Sequence, residues 1–497
     1  MVHDLLIVGG GINGTAIARE AALNGLSVLL VEKDDLAAHT SSASTKLIHG
    51  GLRYLEYYEF RLVREALKER ELLLHAAPHL IRPMQFVLPH AHAVRPWWLV
   101  RLGLLLYDTI GGRSSLPRSR GDGLIDAKEL TAQLKNPLGH HFFYWDCAVD
   151  DARLTLFNAV DAAANGAEIA TRTALLRADI KDRLCHAMLS DGRTIMARAV
   201  VNAAGPWVEQ LLHTLGADGR NRIRLVRGSH IIVPRLFAGE HAYMLQQPDR
   251  RIVFAIPYGH DSTLIGTTDI AVDTPEQVAI SEEEISYLCA AANRYFARQI
   301  APGDVVATYS GVRPLYDDGT SDAKAVTRDY VLELDDSGAP LLSVFGGKIT
   351  TARHLAEEAL GKLGPVLELT PRVVTRARAF PGGDIAHFSD FLAEVRTQWP
   401  FLGDARAERM ARAYGTLLRD MLAEVAAEAD MGEDLGAGLT EIELEWMVTR
   451  EWARAAEDIL WRRSKLGLGA DPSLERRVTE WLSKRARSGF APPQPRP

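Results

Sequence analysis

Three glycines and one acid near the N-terminus have the types and the spacing that bind a dinucleotide. Gly9, Gly11 and Gly14 form G-x-G-x-x-G, and Glu32 follows at the end of the next apolar run. In such a motif the first glycine permits a tight turn, the second lets the backbone approach a pyrophosphate, and the third lets a helix pack against a strand. The helix start directs free N–H groups at the phosphates, and the acid accepts hydrogen bonds from a ribose.

The elements that must position these residues can be predicted from the flanking sequence. Residues 5–8 form a short apolar run, residues 12–24 carry apolar side chains at helical spacing, and residues 28–31 form a second apolar run. Strand, glycine turn, helix and strand in this order make one βαβ unit, and this context makes the glycine motif specific. The alternative is a tight turn that binds nothing, and the complete unit argues against it.

A second group of chemically capable residues lies in TSSASTKLIHGGLRYLE, residues 40–56. The glycine motif alone does not separate NAD from FAD, but small hydroxyl side chains at this place could line a pyrophosphate and a flavin ring. His49, Arg53 and Tyr54 lie in the same segment, where they add groups that exchange protons and bind anions. The segment therefore favours FAD, although an ordinary polar loop before a helix has a similar composition.

Composition limits the classes of protein that the chain can be. Its 497 residues predict two or three domains, and its net charge of −7 argues against general nucleic-acid binding. The three cysteines are far apart and form no C-x-x-C, so we expect no disulfide framework, no metal site and a reducing compartment. We find no signal peptide pattern and no apolar run of transmembrane length, so we expect a cytoplasmic protein.

Residues 93–120 form a segment of unusual composition. Trp97 and Trp98 precede a leucine-rich run that ends at Tyr107, and five arginines surround this run against one acid, Asp108. The run is too short to span a bilayer, but tryptophan and arginine beside leucine suit a helix that lies in the membrane interface. A buried helix below a basic loop is an equally good interpretation.

Further predicted elements surround such a site. Residues 198–204 predict a strand that runs into Gly205, and residues 341–345 predict a strand followed by two glycines and a helix that begins near Ile349. The start of that helix is a second one that could face a cofactor. Other predicted elements are helices at 60–80, 150–165 and 281–294, a β-rich region at 222–269 with a hairpin turn at 259–261, and a helical region after Pro381.

Eight motifs that occur in order along the chain carry a family resemblance. They are GGGINGTAIA, TSSASTKLIHGGLRYLE, NAAGPW, RGSHIIVPR, IGTTD, GVRPL, VTRDY and FGGKITT. Together they resemble the FAD-dependent glycerol-3-phosphate dehydrogenases of the quinone-linked, respiratory type, over most of the chain. Only the first motif is shared with flavoproteins at large.

The resemblance implies an α/β fold with three parts. These are a glutathione-reductase-type, Rossmann-like FAD-binding domain, a β-rich substrate domain inserted into it, and an all-α C-terminal domain. The expected boundaries are 1–75 plus 147–220 plus 305–365 for the FAD-binding domain, 76–146 plus 221–304 for the substrate and membrane-contact domain, and 380–490 for the helical domain.

The resemblance also implies a reaction and a set of site residues. A hydride leaves carbon 2 of sn-glycerol 3-phosphate for nitrogen-5 of FAD, dihydroxyacetone phosphate forms, and the electrons pass to a membrane quinone. Expected catalytic residues are His49, Arg53, Arg313 and Lys348, and expected substrate contacts are Arg53, Tyr54, His230, Arg313 and Arg328. Expected FAD contacts are Gly9, Gly11, Asn13, Gly14, Glu32, Thr40, Ser41, Ser42, Lys46, His49, Gly205, Gly347, Lys348 and Thr350.

Arginine and histidine have the chemistry that this reaction needs. The planar fork of arginine matches phosphate oxygens bidentately, and the resemblance implies that Arg53, Arg313 and Arg328 form the phosphate clamp. Histidine accepts a proton near neutral pH, and we take His49 as the first candidate for the base and His230 as the second.

The sequence leaves several alternatives open. The chain could be an α-glycerophosphate oxidase that passes electrons to oxygen and makes hydrogen peroxide, an amino-acid oxidase, or a non-catalytic nucleotide-binding and membrane-recruitment module. We expect peripheral attachment to the inner face of the cytoplasmic membrane. The sequence does not decide whether a homodimer forms, where a quinone binds, or what the C-terminal domain does.

Overall fold

Strand β1 (Val2–Val8) lies in the middle of the first of two β-sheets. The computed structural model describes residues 2–92, 95–121, 128–217, 221–317 and 329–487. Strand β1 pairs in parallel with β2 (Val28–Val31) on one side and with β10 (Thr194–Asn202) on the other. The other strands of this sheet are β7 (Glu168–Ala170), β8 (Leu175–Lys181), β9 (Leu184–Leu189), β17 (Val331–Asp335) and β18 (Leu341–Phe345).

The first sheet is buried on both faces. Helices α1 (Ile12–Leu23), α5 (Asp151–Ala164) and α8 (Ala352–Leu367) pack on one face, and α6 (Val208–Thr214) packs on the other. Burial on both faces explains why β1 and β2 are continuous apolar runs. The parallel strands β1, β2, β10 and β18 end at one edge of the sheet, which is where α/β folds bind ligands.

The second sheet has ten strands among the described residues, and helices cover it as well. Helix α7 (Glu282–Asn293) packs on one face, and α2 (Phe60–Ala76) and α3 (Trp97–Ile110) pack on the other. Its strands are β3 (Leu47–Ile48), β4 (Ile81–Pro89), β5 (Arg120–Gly121), β6 (His141–Val149), β11 (Ile223–Pro234), β12 (Ala242–Gln246), β13 (Ile252–Tyr258), β14 (Ser262–Gly266), β15 (Ile270–Ala271) and β16 (Ala307–Tyr316).

Two strands lie in a different sheet from the one that the expected domain boundaries imply. Those boundaries assign β3 and β16 to the FAD-binding domain, but both strands pair within the second sheet. Strand β16 is antiparallel to β11 from the Ile223–Tyr316 pair to the Ile232–Ala307 pair. This continuous ladder holds residues 307–316 in the second sheet.

The helical region after Pro381 has a hydrophobic core of its own. Buried ion pairs attach it to the first sheet, since Arg463 bonds Asp35 at 2.8 Å and Arg153 bonds Glu451 at 3.2 Å. Its helices are α9 (Phe388–Gln398), α10 (Gly403–Tyr414), α11 (Leu418–Met421), α12 (Glu441–Arg450) and α13 (Ser473–Arg487). The short helix α4 (Lys128–Thr131) is not part of this region, since it packs against the second sheet.

The predicted helices are confirmed, with one change of start. Helices α1, α2, α5 and α7 occupy the predicted places, and Ser281 and Glu284 form a capping box at the start of α7. The hairpin turn at 259–261 joins β13 to β14. The helix expected to begin near Ile349 begins at Ala352, because residues 349–351 form a turn in which Thr351 N–H donates to the Lys348 carbonyl at 3.1 Å.

Helix α3 is the leucine-rich segment that follows Trp97. It has 14 residues and lies on the second sheet, with Leu104 and Tyr107 in the core. Within the part of the chain that the structure describes, no helix has both the length and the apolar character that crossing a bilayer requires.

Candidate active site

Two adjoining cavities open at the carboxyl ends of the parallel strands. The first has a volume of about 340 Å³ and the second about 280 Å³. The first lies against the ends of β1, β2, β10 and β18, and the second extends from there onto the second sheet. Residues that line both are Ile12, Thr40, Ser41, Pro314, Gly346 and Gly347, so the two spaces are continuous.

Each of the three motif glycines is required for a different steric reason, and Gly9 and Gly11 line the first cavity. Gly9 has φ of +117°, and a Cβ there would lie 2.4 Å from the Ala203 carbonyl oxygen. A Cβ on Gly14 would lie 1.9 Å from the Gly9 carbonyl oxygen, so this glycine allows α1 to pack on β1. A Cβ on Gly11 would meet only the Ser41 hydroxyl, at 3.1 Å, because Gly11 faces the cavity.

Glu32 is buried at the edge of the first cavity with its carboxylate fixed by backbone. It accepts hydrogen bonds from Gly10 N–H at 2.6 Å and Asp34 N–H at 2.8 Å. Burial raises the pKa of this carboxyl, and the two backbone hydrogen bonds oppose that rise. The loop after Glu32 is held by the helical domain, since Arg462 and Arg463 both bond Asp35.

The start of helix α1 has donors and an acceptor that fit a cofactor. Ile12 N–H donates to the Ser41 hydroxyl at 2.9 Å, and the Asn13 amide donates to the Gly346 carbonyl at 3.1 Å. The Asn13 Oδ1 atom is buried and has no hydrogen-bond partner among the described residues. An unmatched acceptor beside a glycine cradle fits a bound dinucleotide, because buried polar atoms are almost always hydrogen-bonded.

Trp207 contributes an aromatic wall that the sequence did not indicate. It follows Gly205, which was expected at the site, and its indole N–H donates to Glu276 at 2.7 Å. The Lys33 ammonium lies 3.7 Å from the ring centroid of Trp207, and the His39 ring lies 4.7 Å away. The signal for this wall was the tryptophan of the NAAGPW motif.

The second cavity gathers most of the residues expected at the catalytic centre. The Lys348 ammonium lies 4.2 Å from the Tyr54 ring centroid, and Arg53 donates to the Tyr57 hydroxyl at 3.3 Å. The expected catalytic and substrate residues that line this cavity are His49, Arg53, Tyr54, His230, Arg313 and Lys348, together with the expected FAD contacts Gly347 and Thr350.

Arg313 is fixed at the cavity wall by two residues that the sequence analysis did not assign. Its guanidinium bonds Asp269 and donates to the Thr267 hydroxyl at 2.9 Å, and the side chain remains 26% exposed. Glu284 supports this turn from behind, since it accepts from Thr268 at 2.7 Å. The IGTTD motif contains all three turn residues, so it was the available signal.

His230 lies in the wall of the second cavity as a neutral base. It is buried, its Nε2 lies 3.1 Å from the Thr45 hydroxyl, and its Nδ1 has no hydrogen-bond partner among the described residues. Burial first, and then the positive charges of Arg313 and Lys46, lower its pKa well below the ordinary value. His49 lines the same cavity and is only partly buried.

Three of the expected contacts among the described residues line neither cavity. Gly14 serves packing, and Ser42 donates to the His39 carbonyl at 3.3 Å. The Lys46 ammonium forms a buried ion pair with Asp151 at 2.8 Å, and burial lowers its pKa. The expected contact at Arg328 lies outside the described residues.

Two protein-family models match this chain, one over the two sheets and one over the helical region. A family model described as FAD dependent oxidoreductase matches residues 4–353. A second, described as C-terminal domain of alpha-glycerophosphate oxidase, matches residues 373–485.

Individual proteins are similar to this chain over nearly its whole length. The glycerol-3-phosphate dehydrogenase of Pseudomonas aeruginosa is 51% identical, with 97% of this chain and 95% of that protein covered. The D-erythritol 1-phosphate dehydrogenase of Brucella abortus is 48% identical (96% and 97%), and the aerobic glycerol-3-phosphate dehydrogenase of Escherichia coli is 46% identical (96% and 97%). The structure of the glycerol-3-phosphate dehydrogenase from Bacillus halodurans complexed with FAD has a TM-score of 0.75 at 28% identity, covering 97% of this chain and 90% of that one.

Proposed function

The chain belongs to the family of FAD-dependent glycerol-3-phosphate dehydrogenases, and we propose that it oxidises carbon 2 of sn-glycerol 3-phosphate to give dihydroxyacetone phosphate. The observation that carries this proposal is the second cavity, where arginines, a lysine and two histidines surround a space continuous with the dinucleotide cradle. Such a set of groups suits a small anionic alcohol, because cations bind the phosphate and a neutral histidine accepts the hydroxyl proton.

FAD, when bound, supplies the acceptor for the hydride. We assign the first cavity to its adenosine and pyrophosphate, because Glu32, the face of Gly11 and the start of α1 lie there. The second cavity receives the flavin ring and the substrate, since the two spaces share six lining residues. The lone Asn13 Oδ1 acceptor lies at their junction, beside Gly346.

Arg313 is the residue best prepared to hold the substrate phosphate. Asp269 and Thr267 use part of its hydrogen-bonding capacity, and an arginine has five N–H donors, so donors remain for phosphate oxygens. These two partners also fix the orientation of the guanidinium, which lowers the entropy lost on binding. Arg53 and Lys348 line the same cavity and add positive charge.

His49 is the proposed proton acceptor, with His230 as the second candidate. Both rings line the cavity, but His49 is partly exposed and can pass its proton on to water. His230 is fully buried beside Thr45 and two cations, so a proton there would be strongly disfavoured. The same burial leaves His230 neutral, so it can orient the substrate hydroxyl as an acceptor.

An apolar surface beside the second cavity supports attachment to a membrane. On helix α3 the side chains of Trp98, Leu102 and Leu105 are 63%, 55% and 45% exposed, and they follow one another at helical spacing on one face. Tyr58 is exposed on the neighbouring turn, and Arg95 and Glu56, 3.9 Å apart, connect the turn to the helix start. We call the face of α3 and this turn the apolar face. It suits shallow insertion at the inner side of the cytoplasmic membrane.

The sequence interpretation of this helix needs one correction. It treated the leucine-rich run as one membrane-facing segment, but Leu104 within that run is fully buried against the second sheet. Because successive helical residues turn by about 100°, neighbours in sequence face different directions. The apolar face therefore includes Trp98, Leu102 and Leu105 of α3 and excludes Leu104 and Tyr107.

A membrane quinone is the proposed electron acceptor. The apolar face would bring the catalytic cavity close to an electron acceptor that is dissolved in the bilayer. Oxygen as the acceptor requires no such surface. The matching C-terminal family model is described by an oxidase, so oxygen is the alternative acceptor. Peroxide production under air by the purified protein separates the two.

A second candidate substrate is D-erythritol 1-phosphate. A dehydrogenase described for that compound is 48% identical to this chain, close to the 51% of the Pseudomonas aeruginosa enzyme. The two substrates share a phosphate and an adjacent secondary alcohol and differ in the length of the remaining polyol. Steady-state kinetics with a soluble dye acceptor should give the higher kcat/KM with glycerol 3-phosphate, and the reverse order would assign the longer substrate.

A further inference from the structure

A third cavity lies between the second sheet and the helical domain. It has a volume of about 240 Å³ and shares no lining residue with the first two cavities. One wall is the start of β4 and the end of β13, and the other is helix α10 with the segment that follows the short helical turn 458–463. Its lining is strongly basic: the cationic side chains are Lys46, Arg82, Arg409, Arg412, Arg463 and Lys465.

Most of these cations have a carboxylate partner. Arg409 is bonded bidentately by Glu443 at 2.6 and 2.8 Å, and Lys465 lies 2.6 Å from Asp150. The other pairs are Lys46 with Asp151, Arg463 with Asp35, and Arg82 with Glu240. The last of these, at 3.4 Å, is exposed and long, so Arg82 keeps donors that can turn toward the cavity.

Arg412 is the exception among the described residues. No carboxylate of that part of the chain lies within ion-pair distance of its guanidinium, which packs 3.4 Å above the Phe388 ring centroid. It donates only a long bond of 3.4 Å to the Pro78 carbonyl, and its buried Nε–H has no acceptor. Glu408, one turn earlier, is exposed and forms no ion pair with it.

This arrangement is electrostatically unfavourable without a further negative charge. Burial, and then the positive charge of Arg82, lower the pKa of Arg412 to about 10. A buried guanidinium keeps its charge at acceptable cost only when its donors meet acceptors and its charge meets an opposite one. The cavity that Arg412 lines is therefore a place where a bound anion would be stabilised.

His79 supplies a second and independent observation at the same place. It lies between α2 and β4, lines the third cavity and is 1% exposed. Neither of its ring nitrogens has a hydrogen-bond partner among the described residues. A neutral imidazole carries one N–H donor, so a second unsatisfied donor lies in the wall of the cavity that Arg412 also lines.

We propose that the third cavity binds a small phosphate-type anion, held by Arg412 and Arg82 with His79 as a further donor. Arginine forks match the oxygens of a phosphate or phosphomonoester bidentately. The volume of about 240 Å³ accommodates a small anion. The anion joins β4 of the second sheet to α10 of the helical domain and stabilises their contact.

Free phosphate and an anionic lipid headgroup have the same chemistry at this site. Equilibrium dialysis of the FAD-loaded protein with inorganic phosphate measures the number of sites per chain. We expect two sites in the wild type: one in the third cavity and one at the substrate clamp. Arg412→Gln should remove the first and Arg313→Ala the second, so the two substitutions test this inference and the proposed function separately.

Control variants keep the experiment decisive. Arg419→Gln, an exposed arginine of the same domain that pairs with Glu394, should leave both sites intact. If Arg412→Gln does not fold, Arg82→Gln replaces it, because Arg82 is partly exposed and its loss should weaken phosphate at the third cavity at least tenfold. If Arg412→Gln and Arg82→Gln bind phosphate with the stoichiometry and affinity of the wild type, the third cavity is not a site for free phosphate.

Sedimentation with phosphatidylglycerol vesicles identifies the source of the anion. Loss of phosphate binding with unchanged vesicle binding in Arg412→Gln assigns the cavity to a free phosphate or phosphomonoester. Reduced vesicle binding in Arg412→Gln, with normal binding in Arg419→Gln, assigns it to a lipid headgroup. If neither phosphate nor vesicle binding changes, the third cavity is not an anion site.

Discussion

The imidazole of His230 stacks on the phenol ring of Tyr309, with their centroids 4.7 Å apart and their planes inclined by 19°. The Lys46 ammonium lies 4.8 Å from the centroid of the same phenol ring. His230 is therefore packed between aromatic and charged side chains, and its pKa is lowered first by burial and then by the positive charges of Arg313 and Lys46. A ring held in this way is suited to orienting a substrate and poorly suited to carrying a proton.

The first prediction separates the two histidines. His49→Asn should slow reduction of the bound flavin by substrate about 10²–10⁴-fold, the range usual for a positioned general base. His230→Asn should raise KM more than it lowers the rate of reduction, because its role is orientation. Anaerobic stopped-flow absorbance measures the step without any electron acceptor. A normal rate in His49→Asn together with a slow rate in His230→Asn would transfer the role of base to His230.

The second prediction concerns the phosphate clamp. Arg313→Ala should weaken substrate binding by about 2 kcal/mol or more, which is roughly thirtyfold in KM, because a charged hydrogen bond is lost. Arg313→Lys should recover only part of this loss, since a point charge does not reproduce the fork. Asp269→Asn should raise KM less, because the guanidinium keeps Thr267 as a partner.

Steady-state kinetics with a soluble dye check this order. Arg224→Gln is the matched control, because Arg224 lies on β11 and pairs with Asp317 at 3.2 Å, outside both cavities. Equal kinetic constants in the wild type and Arg313→Ala would remove Arg313 from the substrate site.

The third prediction tests the dinucleotide cradle with a folded variant. Gly11→Val should give a stable but colourless protein, since its side chain enters the first cavity and meets only Ser41. Gly361→Ala on the exposed side of α8 is the control, and it should retain the flavin and gain about 1 kcal/mol in unfolding free energy. Circular dichroism and flavin absorbance measure both properties. A folded, fully yellow Gly11→Val would reject the pyrophosphate assignment.

The fourth prediction tests the apolar face. Replacing Trp98, Leu102 and Leu105 with Gln or Ser should release the protein from anionic vesicles, because each buried apolar side chain contributes roughly 1.5–3 kcal/mol. Quinone reduction in vesicles should fall, while turnover with a soluble dye persists.

A matched triple variant controls for the loss of exposed apolar area. The residues Leu138, Leu176 and Val373 are exposed elsewhere on the molecule, and their replacement by Gln or Ser should leave vesicle binding intact. If both triple variants sediment with vesicles as the wild type does, the membrane contact lies on another surface.

The fifth prediction concerns stability at acid pH. Burial lowers the pKa of His79 to about 3, whereas an unfolded histidine has a pKa of about 6.5. Below about pH 6.5 the unfolded chain therefore takes up a proton that the folded protein does not, and stability falls by up to about 1.4 kcal/mol per pH unit. This contribution is fully present above pH 6.5 and is lost as the pH falls toward the folded pKa.

Thermal unfolding in phosphate-free buffer between pH 7.5 and 5 measures this effect. The midpoint should decline less steeply in His79→Leu than in the wild type. His260→Gln, in the exposed turn between β13 and β14, should decline as the wild type does. Parallel curves for His79→Leu and the wild type would show that His79 is protonated in the folded protein.

Local patterns predicted the elements that depend on neighbouring residues. The βαβ unit around Gly9, the capped helix at Ser281 and the hairpin at 259–261 follow from spacing, caps and turn residues, and the structure contains them. Local patterns do not predict which residues that are distant in sequence form ion pairs in the fold. Lys46 pairs with Asp151, which is far along the chain, whereas the family resemblance had implied that this lysine contacts FAD.

The same distinction applies within the candidate site. Arg313 was predicted, but its partners Asp269 and Thr267 come from a turn that adjoins β16 only because β11 pairs with both β14 and β16. Leu104 was misassigned because composition does not give the rotational phase of a helix against its sheet. The partly buried Arg412 appears in the sequence as one arginine among many, and only the fold shows that its neighbours are the Phe388 ring and the Pro78 carbonyl.

The most direct measurement is anaerobic titration of the purified, FAD-loaded protein with sn-glycerol 3-phosphate. The account predicts loss of the oxidised-flavin absorbance with one equivalent of dihydroxyacetone phosphate formed per flavin, and much weaker bleaching by glycerol without the phosphate. The Arg313→Ala protein should require far more substrate for the same bleaching. An unchanged flavin spectrum at saturating glycerol 3-phosphate, in a protein whose flavin is still reduced by dithionite, would contradict the proposed function.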